Sequence, residues 1–355
     1  MDAIFAIPVI GVIVQLIGYL GAVVVQNGPI IFALSAPLTL GALCGMMNER
    51  SGVVNIGIEG MMLASAFSGW FVASVVFQAM GPREPYDFFG FTIPLAIGIL
   101  AAVLTGVLLS VVHAWLAITV KADQIISGTI INIVALGLTG YLNLLLSASS
   151  PPTAGKLEAF VPPQALVDLP VVGWIFKMFL AQGPITMLSL ILAIVLQILL
   201  FRSRWGLRTR AVGEHPRAAE TVGINVIATR YRNVILGGVF AGLAGAWFTI
   251  DFGNSFQTGM TNGRGYIALA ALIFGRWHPI GAFGAALLFA YASSLGTAIR
   301  TLPPTGQLGD ILSAIPEQAF AALPYVVTII ILAGVVGRSI PPAAVGRPYE
   351  KEGAH

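Results

Sequence analysis

The few groups in this chain able to do chemistry sit in apolar surroundings. Asn48, Asn55 and Glu59 stand where one apolar stretch begins, Asn132 lies inside another, and Arg264 and Tyr266 open a third. Groups of this kind can hydrogen-bond a hydrated, uncharged solute weakly enough to release it. Equally, Asn55 and Glu59 can cap broken helix ends. Other chemistry is missing from the sequence. There is no G-x-x-x-x-G-K-[ST], so the chain does not itself cradle nucleotide phosphates. His113, His215, His278 and His355 are scattered, without an H-E-x-x-H or Cys/His grouping for a metal. Tyr86-Asp87 and Leu308-Gly309-Asp310 make a faint aspartyl pair, both in expected external loops, where an Asp in water needs no special role. No catalytic residue, metal or cofactor of this chain is expected. A proton or sodium pump would want carboxylates at mid-membrane, where they are costly and usually functional. Glu59 and Asp251 instead fall within about two helical turns of an expected membrane face.

The elements that position these groups follow from composition. Of 355 residues, 57% are hydrophobic and 9% charged, against about a quarter charged in a soluble domain. Lipid is the solvent that suits such a chain. The expected fold is therefore an all-α integral membrane protein, one transmembrane domain over 1–355. Apolar runs predict about ten spans, at 5–25, 29–47, 53–78, 91–117, 125–146, 184–201, 233–251, 265–275, 280–299 and 320–337. The run 265–275 is anomalous, because eleven helical residues reach only about 16 Å, half a bilayer. Cys44 excludes an intrachain disulfide and reads as a small packing residue. No secretory signal is expected, since Met1–Asp2 offers no basic segment ahead of the first run.

Orientation follows from Lys and Arg. The connection 202–232, with Arg202, Arg204, Arg208, Arg210, Arg217, Arg230 and Arg232, is placed in the cytoplasm. Arg50, Lys121, Arg276, Arg338, Arg347 and Lys351 then also fall inside, and both termini are cytoplasmic. Arg83, Lys156, Lys177, Arg264 and Arg300 fall outside. The net charge of +3 is thus a matter of topology, not of nucleic-acid binding. Within the external stretch 147–182, Val171–Leu180 predicts a helix lying in the interface, or a short re-entrant one.

The ten spans divide as one, four, one, four. The groups 29–146 and 233–337 enter the membrane from opposite sides, the arrangement of inverted repeats. Each group has an odd second member, opening with Asn55-Ile-Gly-Ile-Glu59-Gly60 in one and Asn262-Gly-Arg264-Gly265 in the other. Glycine beside a charge at a helix start predicts broken backbone, or glycines that merely let helices approach closely. In the first reading the start of 265–275 presents unpaired N–H groups to a solute, with Arg264 sharpening that field or pairing with Asp251. In the second, 265–275 is part of a full, tilted span whose Arg264 snorkels outward.

The connection 202–232 contains Glu214-His215-Pro216-Arg217-Ala218-Ala219-Glu220, where Pro216 suits a first helical position and Gly223 a helix stop. The segment reads as a short docking helix, or as a solvated connector whose arginines set topology. Arg217-Ala218-Ala219-Glu220-Thr221-Val222-Gly223 resembles the E-A-A-x-x-x-G coupling motif of ABC-importer permeases, with Arg217 in place of Glu and no downstream Leu-Pro. That departure is expected in the branch carrying branched-chain amino acids, ribose-type sugars and nucleosides. The runs from Asn48 to Gly60, Ala122 to Asn132 and Gly263 to Trp277 are similar to the nucleoside members. The resemblance implies a vitamin-B12-importer-like permease of the bacterial inner membrane. It also implies an ATPase that binds the ATP and Mg, a second and different permease, and an external substrate-binding lipoprotein. Asn48, Asn55, Glu59 and Asn132 would then approach the interface between the two permeases. A stand-alone secondary transporter is the rival from another class.

Overall fold

The computed structural model describes residues 8–81, 90–147, 153–316 and 339–350, with isolated positions between 319 and 329. The expected span 320–337 falls almost wholly outside these residues, as do Arg83, Tyr86-Asp87, Arg338, Lys351 and His355. All regular structure described is helical. In chain order the helices are α1 Pro8–Glu49, α2 Ile58–Met80, α3 Ile93–Ala114, α4 Gln124–Ser147, α5 Gln164–Val167, α6 Gly173–Leu180, α7 Pro184–Arg202, α8 Arg204–Glu214, α9 Pro216–Thr221, α10 Val226–Ala246, α11 Arg264–Phe274, α12 Pro279–Thr301 and α13 Gln307–Ser313. Two π-helical turns, Trp115–Thr119 and Trp247–Phe252, extend α3 and α10.

Seven helical stretches among the described residues are long and apolar enough to cross a membrane. Their limits follow local rules. Thr92 caps α3, its hydroxyl accepting from the Leu95 N–H at 3.4 Å, and Asn225 caps α10, accepting from Ala228 N–H at 2.9 Å. Pro184 opens α7 at a position where its missing N–H is no loss.

One expectation is corrected. Spans 5–25 and 29–47 are not separate, because α1 runs unbroken for 42 residues, about 63 Å at 1.5 Å each. Pro29 removes only one backbone donor, and Gly28 serves packing: a Cβ there would sit 3.1 Å from that of Met178. With no break at 26–28, the cytoplasmic placement of the amino terminus loses its basis.

The chain forms two compact units. The first comprises Met1–Ser35, Phe160–Gln182 and Leu287–Gly337. Its interior gathers Val23, Ile31, Ala290 and Ala298, with Tyr19, Leu34, Tyr291 and Leu295 against them. There Gln182 donates to the Pro29 and Met178 carbonyls at 2.9 and 2.6 Å. The second unit comprises Ala36–Ala159, Gly183–Ala286 and Arg338–His355. Its centre is α2, α3 and α10. Helices α3 and α10 touch backbone to backbone, since a Cβ on Gly106 would lie 2.4 Å from the Gly238 carbonyl and 2.7 Å from the Gly242 nitrogen.

Candidate functional site

Residues 50–57 leave the helix between α1 and α2, as the Asn55–Glu59 pattern predicts. Irregular backbone in an apolar protein must find its partners inside. The Val54 N–H donates to Gln124 at 2.7 Å, and His113 Nε2 meets the Val54 carbonyl at 2.8 Å. Asn55 accepts from Gly57 N–H at 2.9 Å. Asn132 Oδ1 accepts from Gly60 N–H at 2.7 Å, while its Nδ2 donates to the Ile56 carbonyl at 3.0 Å and to the Tyr266 hydroxyl at 2.9 Å. Asn132 is thus a hub, joining α2, α4 and α11.

Glu59 makes the second link. Its Oε1 accepts from Gly263 N–H at 2.8 Å and its Oε2 from Gly265 N–H at 2.6 Å. A carboxylate at a helix N-terminus is favoured by both the charge-assisted hydrogen bonds and the helix dipole. Gly265 makes the approach possible, because a Cβ there would stand 2.6 Å from Glu59 Cα. The half-length helix is present: α11 has 11 residues and follows irregular backbone from Gly253 to Gly263. Its start does not offer those N–H groups to a solute, since Glu59 already occupies them.

The pairing of Arg264 with Asp251 is not made. Asp251 accepts from Ile185 N–H at 3.2 Å, Thr186 N–H at 3.1 Å and the Thr186 hydroxyl at 2.9 Å, capping α7. Arg264 donates to the Met260 and Thr261 carbonyls at 3.1 and 3.4 Å and lies over the Phe248 ring. Glu59, Gly60, Asn132, Thr261, Asn262 and Tyr266 line a cavity of about 380 Å³, with Leu63, Ile133 and Leu136 as its apolar wall. Asn48 and Asn55 are fully buried and outside this lining; Asn48 donates to Cys44 Sγ at 3.8 Å.

The second site lies along residues 202–232. The short helix appears as α9, entered through Pro216 and stopped before Gly223, whose φ is +82°. Ala219 is buried with Val212 and Val226. Glu214 accepts from Ala343 N–H at 3.1 Å, and Glu220 accepts from the Tyr349 hydroxyl. His215, Pro216, Arg217 and Ala218 face Arg347 and Pro348 across a cavity of about 640 Å³. Sequence reasoning missed α8, which Ser203 caps, and missed the packing of 343–350 on this segment. It also missed His113 and Gln124 as anchors of 50–57; Gln124 lies within the run from Ala122 to Asn132, while no motif marks His113. Nearby, Arg50 donates twice to the Trp277 carbonyl, at 3.1 and 2.8 Å. Burial holds its guanidinium below its ordinary range, with Glu214 pulling the other way.

A family model described as "Branched-chain amino acid transport system / permease component" matches residues 30–336. The guanosine ABC transporter permease protein NupQ of Bacillus subtilis is 40% identical over 91% of this chain and 96% of its own length. The nucleoside ABC transporter permease protein NupC of Lactococcus lactis is 36% identical over 89% of this chain and 94% of its own. Each organism has a second permease of the same description that matches more distantly, at 26% and 25% identity over 71% of this chain. No solved structure matches the chain. This chain belongs to the branched-chain amino acid transport system permease family, and is a multi-pass permease component of an ABC transporter in the bacterial inner membrane, served by a separate ATPase and a substrate-binding partner.

Proposed function

We propose that this permease component imports nucleosides by alternating access, with an ATPase docking on α9. The nucleoside reading is carried by two relatives named for guanosine and nucleoside transport, which match nine-tenths of the chain. The docking reading is supported by α9 itself, a short helix with proline at its start and left-handed glycine after its end. The solute path runs by the cavity of Glu59, Asn132, Asn262 and Tyr266, whose mixed polar and apolar lining suits a flat heterocycle joined to a sugar.

Partnership and topology belong to the same proposal. The partner permease is a different chain, a reading supported by the paired matches in two organisms. The external binding protein is a lipoprotein. The connections holding Arg50, Lys121, 203–225 and 276–278 and the tail 339–350 face the cytoplasm. Their mutual contacts support this: Arg50 with Trp277, Lys121 with Glu350, and Gly213 with Ala344. An inverted-repeat helical bundle of the vitamin-B12-importer kind is supported by α2 and α11. Both follow irregular backbone, and they meet start to start through Glu59.

The test is uptake into proteoliposomes holding both permeases, the ATPase and the binding protein. Guanosine should enter in an ATP-dependent, saturable way that uridine competes with and leucine or glucose does not. Uptake of leucine or glucose alone would overturn the substrate. Gly223→Val is the test of docking. Open space surrounds that Cβ, so the cost is backbone strain of about 1–2 kcal/mol. Hydrolysis should continue while uptake falls; unchanged stimulation by loaded binding protein would overturn the docking role.

A further inference from the structure

Helix α9 is too short to hold its own position, and the structure shows what holds it. Residues 339–350 cross the same end of the second unit and bond to each segment they pass. Ser339 donates to the Ile273 carbonyl at the end of α11, at 3.0 Å. Ala344 N–H donates to the Gly213 carbonyl at 2.9 Å, just before α9, and Gly346 N–H to the Gly52 carbonyl at 3.2 Å, in the irregular loop. Tyr349 donates to Glu220 on α9, and Glu350 pairs with Lys121 at 2.8 Å. Beneath the crossing lies Arg230, 1% exposed, which donates to the Arg347 carbonyl at 3.0 Å and lies 5.9 Å from the Tyr349 ring centre. Gly52 leaves room for it, since a Cβ there would stand 2.7 Å from Nη2.

We propose that the tail 339–350, seated on Arg230, is a strap that ties α9 to the loop 50–57 and passes displacement of α9 on to the cavity. At the loop end the backbone runs from Gly52 to Asn55, and Glu59 and Asn132 complete the cavity wall. Tyr349 and Arg230 are positioning residues, acting through α9 and touching no solute. A buried guanidinium spent on a single backbone carbonyl is costly to keep. It is explained if the tail must stay down under load.

The proposal rests on α9 receiving the ATPase, so the experiment separates the two. In the full reconstituted complex, nucleosides imported per ATP hydrolysed are measured for Tyr349→Phe, Tyr349→Ala, Arg230→Lys and Gly223→Val. A loss of folded protein alone would lower both rates together and leave this ratio unchanged. The ratio should fall about fivefold for the lost Tyr349 hydroxyl, the factor about 1 kcal/mol carries, and further for Tyr349→Ala. If Gly223→Val lowers the ratio while Tyr349→Phe and Tyr349→Ala leave it at the native value, docking stands and the strap is wrong. If all four leave it unchanged, the docking reading falls as well, and the strap with it. A second arm joins Glu220→Cys to Tyr349→Cys by a short crosslinker in a Cys44→Ser background. Retained uptake is expected, because strap and helix move as one body; abolished uptake would overturn the proposal.

Discussion

Asn132, Glu59 and Asp251 are all buried or half-buried acceptors serving backbone N–H groups, yet they answer to different tests. Glu59→Gln keeps the size but leaves one acceptor oxygen for two donors, Gly263 and Gly265. One donor then goes unpaired, at about 1–3 kcal/mol. Melting temperature in detergent should drop, and uptake should drop more than expression; native values of both would end the capping account. Asn132→Ala frees the Gly60 N–H and the Ile56 carbonyl together and should cost more than Glu59→Gln. Asp251→Ala strips the start of α7 of its acceptor but touches nothing in the cavity. It should lower thermal stability while leaving the apparent affinity for nucleoside unchanged. A shift in affinity would mean that α7 reaches the path.

Helix α11 carries the prediction at the scale of elements. Cysteines placed singly from residue 254 to 271, in the Cys44→Ser background, should label from outside at positions 254, 255, 257, 258, 262 and 266. They should stay dark at the buried positions 256, 261, 265, 268 and 271. Labelling that stops for good before Thr261 would restore a full span. The spans themselves were legible because each is a long apolar run, and α9 because Pro216 and Gly223 act locally. The joint at 26–28 was misread: Asn27-Gly28-Pro29 looks like a break, and only the Met178 side chain, distant in sequence, shows why glycine stands there. The partners of Glu59 and Asp251 were not legible at all. They lie 204 and 66 residues away, and no local rule points to Gly263 or Ile185.

At the scale of the whole molecule, the prediction concerns assembly. Purified from a host expressing both permeases, the complex should contain one copy of each, by native mass; two copies of this chain without the other would overturn the heterodimer. Such an assembly has to change shape without coming apart, and the Gly106–Gly238–Gly242 contact limits where it can bend. Side chains can hop between rotamers to absorb a shift; a peptide group lying directly on another has no such freedom. Helices α3 and α10 should therefore travel as one stiff beam throughout the cycle. Slow exchange of their amide hydrogens, equal in the resting and ATP-bound states, would be the mark of it, with any change in exchange confined to segments such as 50–57 and 253–263.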